Sequence, residues 1–244
     1  MKIWGRQRSG GNHSARDYQG MVRRHLKRNR HDRTLALAQI IGAPTMEDFA
    51  RQGDGHVAVL RHHGLADGMA VYDLGCGCGR TAQALQRSGW SGDYTGADVV
   101  PELLDELRAR CPDYRAVLEY APRIAAQDNS LDLVFHWSVV THLYPTESFA
   151  YMRDAFRALK PGGRMVFSFL ELEAPHQRRV WEANVARLGA GERPQQLDAF
   201  LHRDWIRFFA SEAGYTEPRF TNGDDEREHP PFWQSLAVMD KPLG

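Results

Sequence analysis

From residue 70 onward, apolar residues come in short runs, and the stretches between the runs have helical spacing. Ala70–Leu74, 94–98, 116–120, 131–137 and 165–170 read as strands. A helix follows the first strand to about residue 88. Pro101 opens another, with Leu103, Leu104 and Leu107 on one face; proline suits a first helical turn because no intrahelical partner awaits its missing N–H. A third covers about 146–159. Strands alternating with helices predict a mostly parallel sheet covered on both faces. Past the fifth strand the rhythm breaks. Residues 175–200, punctuated by Gly189, Gly191 and Pro194, read as an inserted lid with an amphipathic helix over 177–188. Residues 204–213 read as the last core helix, and Phe220 and 235–239 as two closing strands joined by an acidic loop around Asp224, Asp225, Glu226 and Glu228.

Ahead of the sheet the apolar pattern is thinner. Residues 17–33 predict a basic helix with Met21, Val22 and Leu26 as its stripe. Residues 34–41 and 46–50 read as two short helices, and 54–63 as a better one stopped by Gly64. This divides the chain into a basic arm and helical cap (1–52) and an α/β domain (53–244) carrying a lid at about 171–200.

Composition narrows the classes. The chain has 244 residues, 42% of them hydrophobic, enough for one domain with a core and a lid. No run approaches the roughly 20 apolar residues that span a bilayer. The opening Met1-Lys2-Ile3-Trp4-Gly5-Arg6 has no apolar signal core, so the expected location is cytoplasmic. Three cysteines are too few for a disulfide framework. Net charge is zero but unevenly spread: residues 1–34 hold ten Lys or Arg against Asp17 and Asp32. Neutrality overall argues against bulk nucleic-acid binding, while the arm leaves a local anion site open.

The most informative stretch is Val71-Tyr72-Asp73-Leu74-Gly75-Cys76-Gly77-Cys78-Gly79-Arg80. A strand runs into three alternate glycines and then a helix, which brings bare backbone against a ligand. The spacing is Gly-x-Gly-x-Gly, not the Gly-x-Gly-x-x-Gly of nicotinamide-binding loops. Asp98 ends the second strand nineteen residues past Gly79, where an acid can accept from both ribose hydroxyls. Asp128-Asn129-Ser130-Leu131-Asp132-Leu133-Val134 leads into the fourth strand, and Leu159-Lys160-Pro161-Gly162-Gly163-Arg164-Met165-Val166 into the fifth. Gly162 and Gly163 read as a turn, and Asp132 as a support of the sheet edge. Cys76 and Cys78, one residue apart, lack the further ligands of a zinc site, and no metal is expected.

Together these markers resemble the class I S-adenosylmethionine (SAM)-dependent methyltransferases over residues 70 to about 170. The resemblance implies a Rossmann-like, doubly wound, seven-stranded and mostly parallel sheet with its last strand antiparallel. It also implies SAM as cofactor and S-adenosylhomocysteine as product. Asp73, Gly75, Gly77 and Arg80 would surround the methionine and ribose portions, with Cys76 contributing backbone. Asp98 would hold the ribose and Val99 would lie against adenine. The family usually places an acid after the third strand near the adenine amine; here that position is Tyr120, so Glu119 or the backbone at Ala121 would substitute. His136, Trp137 and Ser138 would emerge at the end of the fourth strand, His136 among the cofactor-binding residues and Trp137 walling the methionine end.

Methyl transfer from a sulfonium needs water excluded, the acceptor aligned and, for some acceptors, a proton removed. His142 is a candidate base, with packing before the next helix as its other reading. Glu171 faces either the acceptor or solvent. His176, Trp181 and His202 could line an acceptor pocket. The implied reaction is O- or N-methylation of a small molecule, with the basic arm a clamp for an anionic acceptor or simply solvated. An RNA or protein methyltransferase and a non-catalytic SAM-binding scaffold are the alternatives. No Asn-Pro-Pro-Tyr-like tetrapeptide follows the fourth strand. Oligomeric state is open.

Overall fold

Strand β1 (Ala70–Leu74) pairs in parallel on both sides, with β2 (Asp93–Asp98) and with β4 (Leu131–His136), so its carboxyl end opens in the middle of the sheet. The computed structural model describes residues 13–192, 196–226 and 233–244, with side chains from residue 18. Residues 1–12, the lid proline Pro194 and the acidic-loop residue Glu228 lie outside the described residues. Seven strands form one sheet in the order β3-β2-β1-β4-β5-β7-β6. Strands β3 (Arg115–Leu118) and β5 (Leu159–Phe169) extend the parallel set. Strand β7 (Ser235–Asp240) runs antiparallel between β5 and β6 (Arg219–Thr221). The order reverses between β1 and β4, the crevice where open α/β sheets hold their ligands.

Helices α4 (Arg80–Arg87), α5 (Pro101–Arg110), α6 (Pro145–Ala158) and α8 (Arg203–Ala213) cover the two faces. Leu133, Phe135 and Val166 pack with Leu85, Leu104 and Leu107 on one side. Val134, Met165 and Phe167 pack with Met152, Ala155 and Ile206 on the other. Asp132 accepts from the Ala70 N–H at 2.8 Å and from Lys160 Nζ at 2.7 Å, so it ties the entries of β1, β4 and β5 together.

The cap differs most from the sequence expectation. Helix α1 spans His13–Arg28, and Asp32 then caps a separate α2 (Arg33–Ile40) by accepting from the Leu35 N–H. The two helices expected at 46–50 and 54–63 are one, α3 (Met46–His62), and the 52/53 division falls inside it. Gly53, inside this helix, serves contact. A Cβ there would stand 2.7 Å from the Arg80 carbonyl oxygen and 3.1 Å from Ala84 Cβ, so the glycine lets α3 lie directly on α4. Val22, Leu37, Ala38 and Phe49 of the cap share a core with Cys78, Val100 and Leu103. The cap therefore sits on the glycine loop itself.

Beyond β5, helix α7 (Pro175–Gly189) is anchored at its first turn and again by Asn184 Nδ2, which donates to Asp198 at 2.8 Å. Gln177 is fully buried and bonds to the Glu171 N–H, the Trp233 carbonyl and Ser235 Oγ, whereas Trp181, Val185 and Leu188 are exposed. The returning chain is stitched to the sheet by Ala199 N–H to the Thr141 carbonyl and Leu201 N–H to the Leu170 carbonyl. Among the described residues no helix is long and apolar enough to cross a membrane.

Candidate active site

A cavity of ≈ 480 Å³ lies over the carboxyl ends of the central strands. Its floor is the β1–α4 loop, where Gly75, Gly77 and Gly79 have φ of 68°, 57° and 87°, in the left-handed region that favours glycine. A Cβ on Gly75 would stand 2.3 Å from Val139 Cγ2.

The loop's amides are not bare. Gly75 and Cys76 both donate to the Ala97 carbonyl, at 2.7 and 3.0 Å, Gly77 donates to Asp98 Oδ2 at 2.9 Å, and Gly79 to the Cys76 carbonyl at 3.1 Å. A phosphate cradle works by offering several free N–H donors to the anion. These four amides are spent within the fold, so Gly75, Cys76, Gly77 and Gly79 offer a close-fitting surface rather than free donors.

Asp98 is the polar centre. Its Oδ1 accepts from the Val100 N–H at 2.9 Å while Oδ2 holds Gly77, and a carboxylate has lone pairs left for two further donors. Burial raises its pKa to about 6 against the pull of those N–H groups. Asp73 is buried too, accepts from Tyr94 Oη at 2.6 Å, and is raised to about 7, by burial first, with Tyr94 and Arg80 pulling it back. Arg80 lines the cavity, donates Nη1 to the Ile41 carbonyl at 3.1 Å and to Gln52, and keeps a buried Nε without a partner. Arg80 thus ties the glycine loop to the cap.

The roof comes from residues that the sequence did not single out. Tyr18 of α1 lines the cavity and stacks on His142 with ring centres 6.4 Å apart, while neighbouring Gln19 donates to the Val99 carbonyl at 2.6 Å. His56 of α3 lies with Thr81 at 2.9 Å and against the Trp137 ring at 4.8 Å; burial drives its pKa well below the usual histidine range. No motif marks Tyr18 or His56, because the cap reaches the site only through tertiary packing.

Asp73, Gly75, Cys76, Gly77, Arg80, Asp98, Val99, Trp137 and His142 all line this one cavity. Four other expected residues do not. Tyr120 is exposed, and Glu119 lines the cavity in its place, holding the Ala121 N–H at 3.0 Å and Arg123 Nε at 2.6 Å. Strand β3 ends at Leu118, two residues earlier than expected, so Glu119 and Tyr120 both lie in the loop after it. Ala121 lies outside the lining, its carbonyl taken by Tyr151 Oη at 3.4 Å. His136 still belongs to β4, and alternation puts it on the face of Val134, fully buried and stacked at 5.0 Å on Phe167. Burial pushes its pKa down to about 3. Glu171, expected to face the acceptor or solvent, faces neither: it is buried, accepts from Arg203 Nη2 at 2.7 Å and from Ser235 Oγ at 2.5 Å, and lies outside the cavity. Of the lid residues, Trp181 and His202 are absent from the lining, and His176 bonds to the Trp233 carbonyl at 2.9 Å.

His142 has a fixed tautomer. Its Nδ1 lies 2.8 Å from the Leu197 carbonyl oxygen, which can only accept, so Nδ1 carries the proton and a neutral ring keeps its lone pair on Nε2. Among the described residues no three His, Cys, Asp or Glu side chains gather as a metal site would need.

The site suits a nucleoside without phosphates, its hydroxyls on Asp98 and its tail beside Arg80, which is the chemistry of SAM. Comparison with known proteins agrees. Residues 71–163 match the model of a methyltransferase domain. An uncharacterised methyltransferase of Mycobacterium tuberculosis is 36% identical over 124 residues, 49% of this chain and 42% of that protein. A ubiquinone biosynthesis O-methyltransferase of Cereibacter sphaeroides is 29% identical over 152 residues, 61% of this chain and 57% of that protein. The chain thus spans about half the length of the curated relatives it matches. The magnesium protoporphyrin IX methyltransferase of Synechocystis PCC 6803, solved with bound S-adenosylhomocysteine, superposes with a TM-score of 0.62 over 92% of this chain and 99% of its own, at 15% identity, and so shares the fold. Residues 71–163 thus match a methyltransferase domain, and the chain has the fold of the SAM-dependent methyltransferases.

Proposed function

We propose that the protein transfers a methyl group from SAM to an oxygen or nitrogen of a small-molecule acceptor. The observation that carries this is the Gly77–Asp98–Val100 clasp set in a cavity that runs on past it to β4 and the return of the lid. The clasp holds the Asp98 carboxylate rigidly with lone pairs to spare, as recognition of a ribose diol requires. Arg80, which lines the cavity, would lie beside the methionine portion, and Val99 and Glu119 would flank the adenine. Trp137 and Tyr18 would exclude water.

SAM supplies an activated methyl on a sulfonium whose charge disappears as the methyl moves. The protein's share is alignment, which contributes several kcal/mol or more. For a hydroxyl acceptor, His142 Nε2 would take the proton, and its tautomer supports that role.

Calorimetry with SAM and S-adenosylhomocysteine tests the cofactor reading. Binding of both is expected, and Asp98→Ala should abolish it. If neither ligand binds the intact protein, the reading fails. Homocysteine release across a panel of hydroxyl and amine acceptors then tests transfer.

A further inference from the structure

We infer that Ser138 is a specificity-determining residue, and that its hydroxyl donates to a neutral carbonyl oxygen on the acceptor. The inference rests on the methyltransferase reading above. Ser138 follows β4 and lines the cavity together with Trp233 and Gln234, which precede β7. Asp98 closes β2. In the sheet order Ser138, after β4, stands two strand steps from β2, roughly 10 Å at about 4.8 Å a step, and Gln234, before β7, two steps farther. This end of the cavity therefore lies beyond the ribose site, on the acceptor side.

Three polar side chains there close a ring. The Ser138 N–H donates to Ser168 Oγ at 2.8 Å, Ser168 Oγ donates to Gln234 Oε1 at 2.7 Å, and Gln234 Nε2 donates to Ser138 Oγ at 2.6 Å. Burial fixes the direction. Ser168 is fully buried, so its proton must find an acceptor inside the ring, and only the Gln234 carbonyl offers one. The amide nitrogen of Gln234 then has to point at Ser138. Ser138 Oγ is thus already an acceptor, and among the described residues nothing takes its own proton, which leaves that proton for a ligand.

The backbone is held out of its ordinary conformation to make this possible. Ser138 has φ of 57° and Trp233 φ of 71°, left-handed values that side chains rarely adopt. The Thr141 hydroxyl braces Ser138 by donating to its carbonyl at 2.8 Å. Non-glycine residues held in that region concentrate where a side chain must be aimed.

Charge sets the partner. The guanidinium groups among the described lining residues are Arg80, which follows β1, and Arg123, beyond β3. Near the Ser138 end the lining residues include His56, His142 and Asp198, the last held by Asn184 Nδ2 at 2.8 Å. A carboxylate or phosphate would meet Asp198 with no fixed cation to offset it. A neutral ketone, ester or amide oxygen suits one hydroxyl donor, in place of the anionic acceptor that the basic arm suggests.

The test measures binding of 2′-hydroxyacetophenone, its carbonyl-free analogue 2-ethylphenol, and salicylate to the full chain loaded with S-adenosylhomocysteine. The ketone is expected to bind about tenfold tighter than 2-ethylphenol, the worth of one well-placed hydrogen bond. Ser138→Ala and Ser138→Gly should each erase that preference, and Ser138→Gly, which relieves the left-handed strain, should melt no lower than the original. Equal binding of ketone and analogue, a preference that survives in both variants, or tightest binding of salicylate would overturn the inference. Failure to bind S-adenosylhomocysteine would instead overturn the cofactor reading.

Discussion

The Gly77 N–H donates to Asp98 Oδ2 at 2.9 Å, and this bond fastens the glycine loop of β1 to the end of β2 before any ligand arrives. Asp98 thus both shapes the loop and is expected to grip the ribose. Asp98→Asn keeps an oxygen for one N–H but loses the charge. Two charge-assisted bonds at about 1.5–3 kcal/mol each predict a loss of about 100-fold or more in SAM affinity, read by calorimetry.

The same carboxylate sets a pH dependence. Asp98 is raised to about 6 by burial, and Asp73 to about 7, against 3.8 for an ordinary aspartate. Between the ordinary and raised values the folded chain keeps a proton that the unfolded chain has released. Stability of the ligand-free protein therefore falls as pH climbs from about 4 to 7. SAM affinity moves the other way, because the ribose needs the ionised Asp98. Calorimetry in buffers of different ionisation heat should show proton release on binding near pH 6, absent in Asp98→Asn. The ligand-free Asp98→Asn protein should resist urea at pH 7.5 at least as well as the original.

The strand pattern and the glycine loop were legible because both are local. A buried strand is a run of apolar residues, and a loop with three left-handed turns needs glycine at those positions. Asp98 was legible because a strand ends where its apolar run does. Tyr18, His56 and Gln234 left no such trace: each reaches the cavity from an element docked by packing, and spacing along the chain says nothing of docking. Glu119 and Tyr120 show the limit of counting, since β3 ends at Leu118 and both lie in the loop beyond it, where strand alternation no longer sets which side chain faces the cavity. His136 failed for a related reason, as period-two alternation decides its face and that face is core.

Gly53 tests the packing argument. On propensity alone Gly53→Ala in a helix interior gains about 1 kcal/mol. The new methyl would meet the Arg80 carbonyl at 2.7 Å, and that carbonyl belongs to the backbone of α4, which cannot swing aside. Overpacking of this kind costs about 1–3 kcal/mol. A net loss of stability is expected by urea unfolding, together with weaker SAM binding as Arg80 is displaced. A more stable variant would show that α3 and α4 do not lie in close contact.

Glu171 separates a structural acid from a catalytic one. Burial would raise its pKa, but the hydrogen bonds from Arg203 and Ser235 outweigh burial and hold it below the ordinary glutamate value. Its contribution is present above pH 4.5 and lost as pH falls through the lowered value. Arg203→Met leaves a buried carboxylate without its counter-ion, at a cost of about 3–5 kcal/mol. Glu171→Gln should lower the melting temperature and leave kcat within a few-fold. A collapse of kcat with unchanged stability would return Glu171 to the reacting centre.

His142 decides between acceptor classes. With Nδ1 bound to the Leu197 carbonyl, Nε2 is the only ring nitrogen that can receive a proton, and the returning chain of the lid is what fixes this. A hydroxyl acceptor must lose its proton as the methyl arrives, and a positioned base contributes about 10²–10⁴-fold to such a step. His142→Gln keeps a polar group of similar reach but cannot take the proton. For an oxygen acceptor kcat should fall by about that factor while SAM affinity holds, because the ring lies outside the Asp98 clasp. An amine that reacts through its neutral lone pair needs no base before methyl transfer. A fall of less than about tenfold in kcat would therefore assign the methyl to nitrogen, and leave Tyr18–His142 stacking as the reason for a histidine at that position.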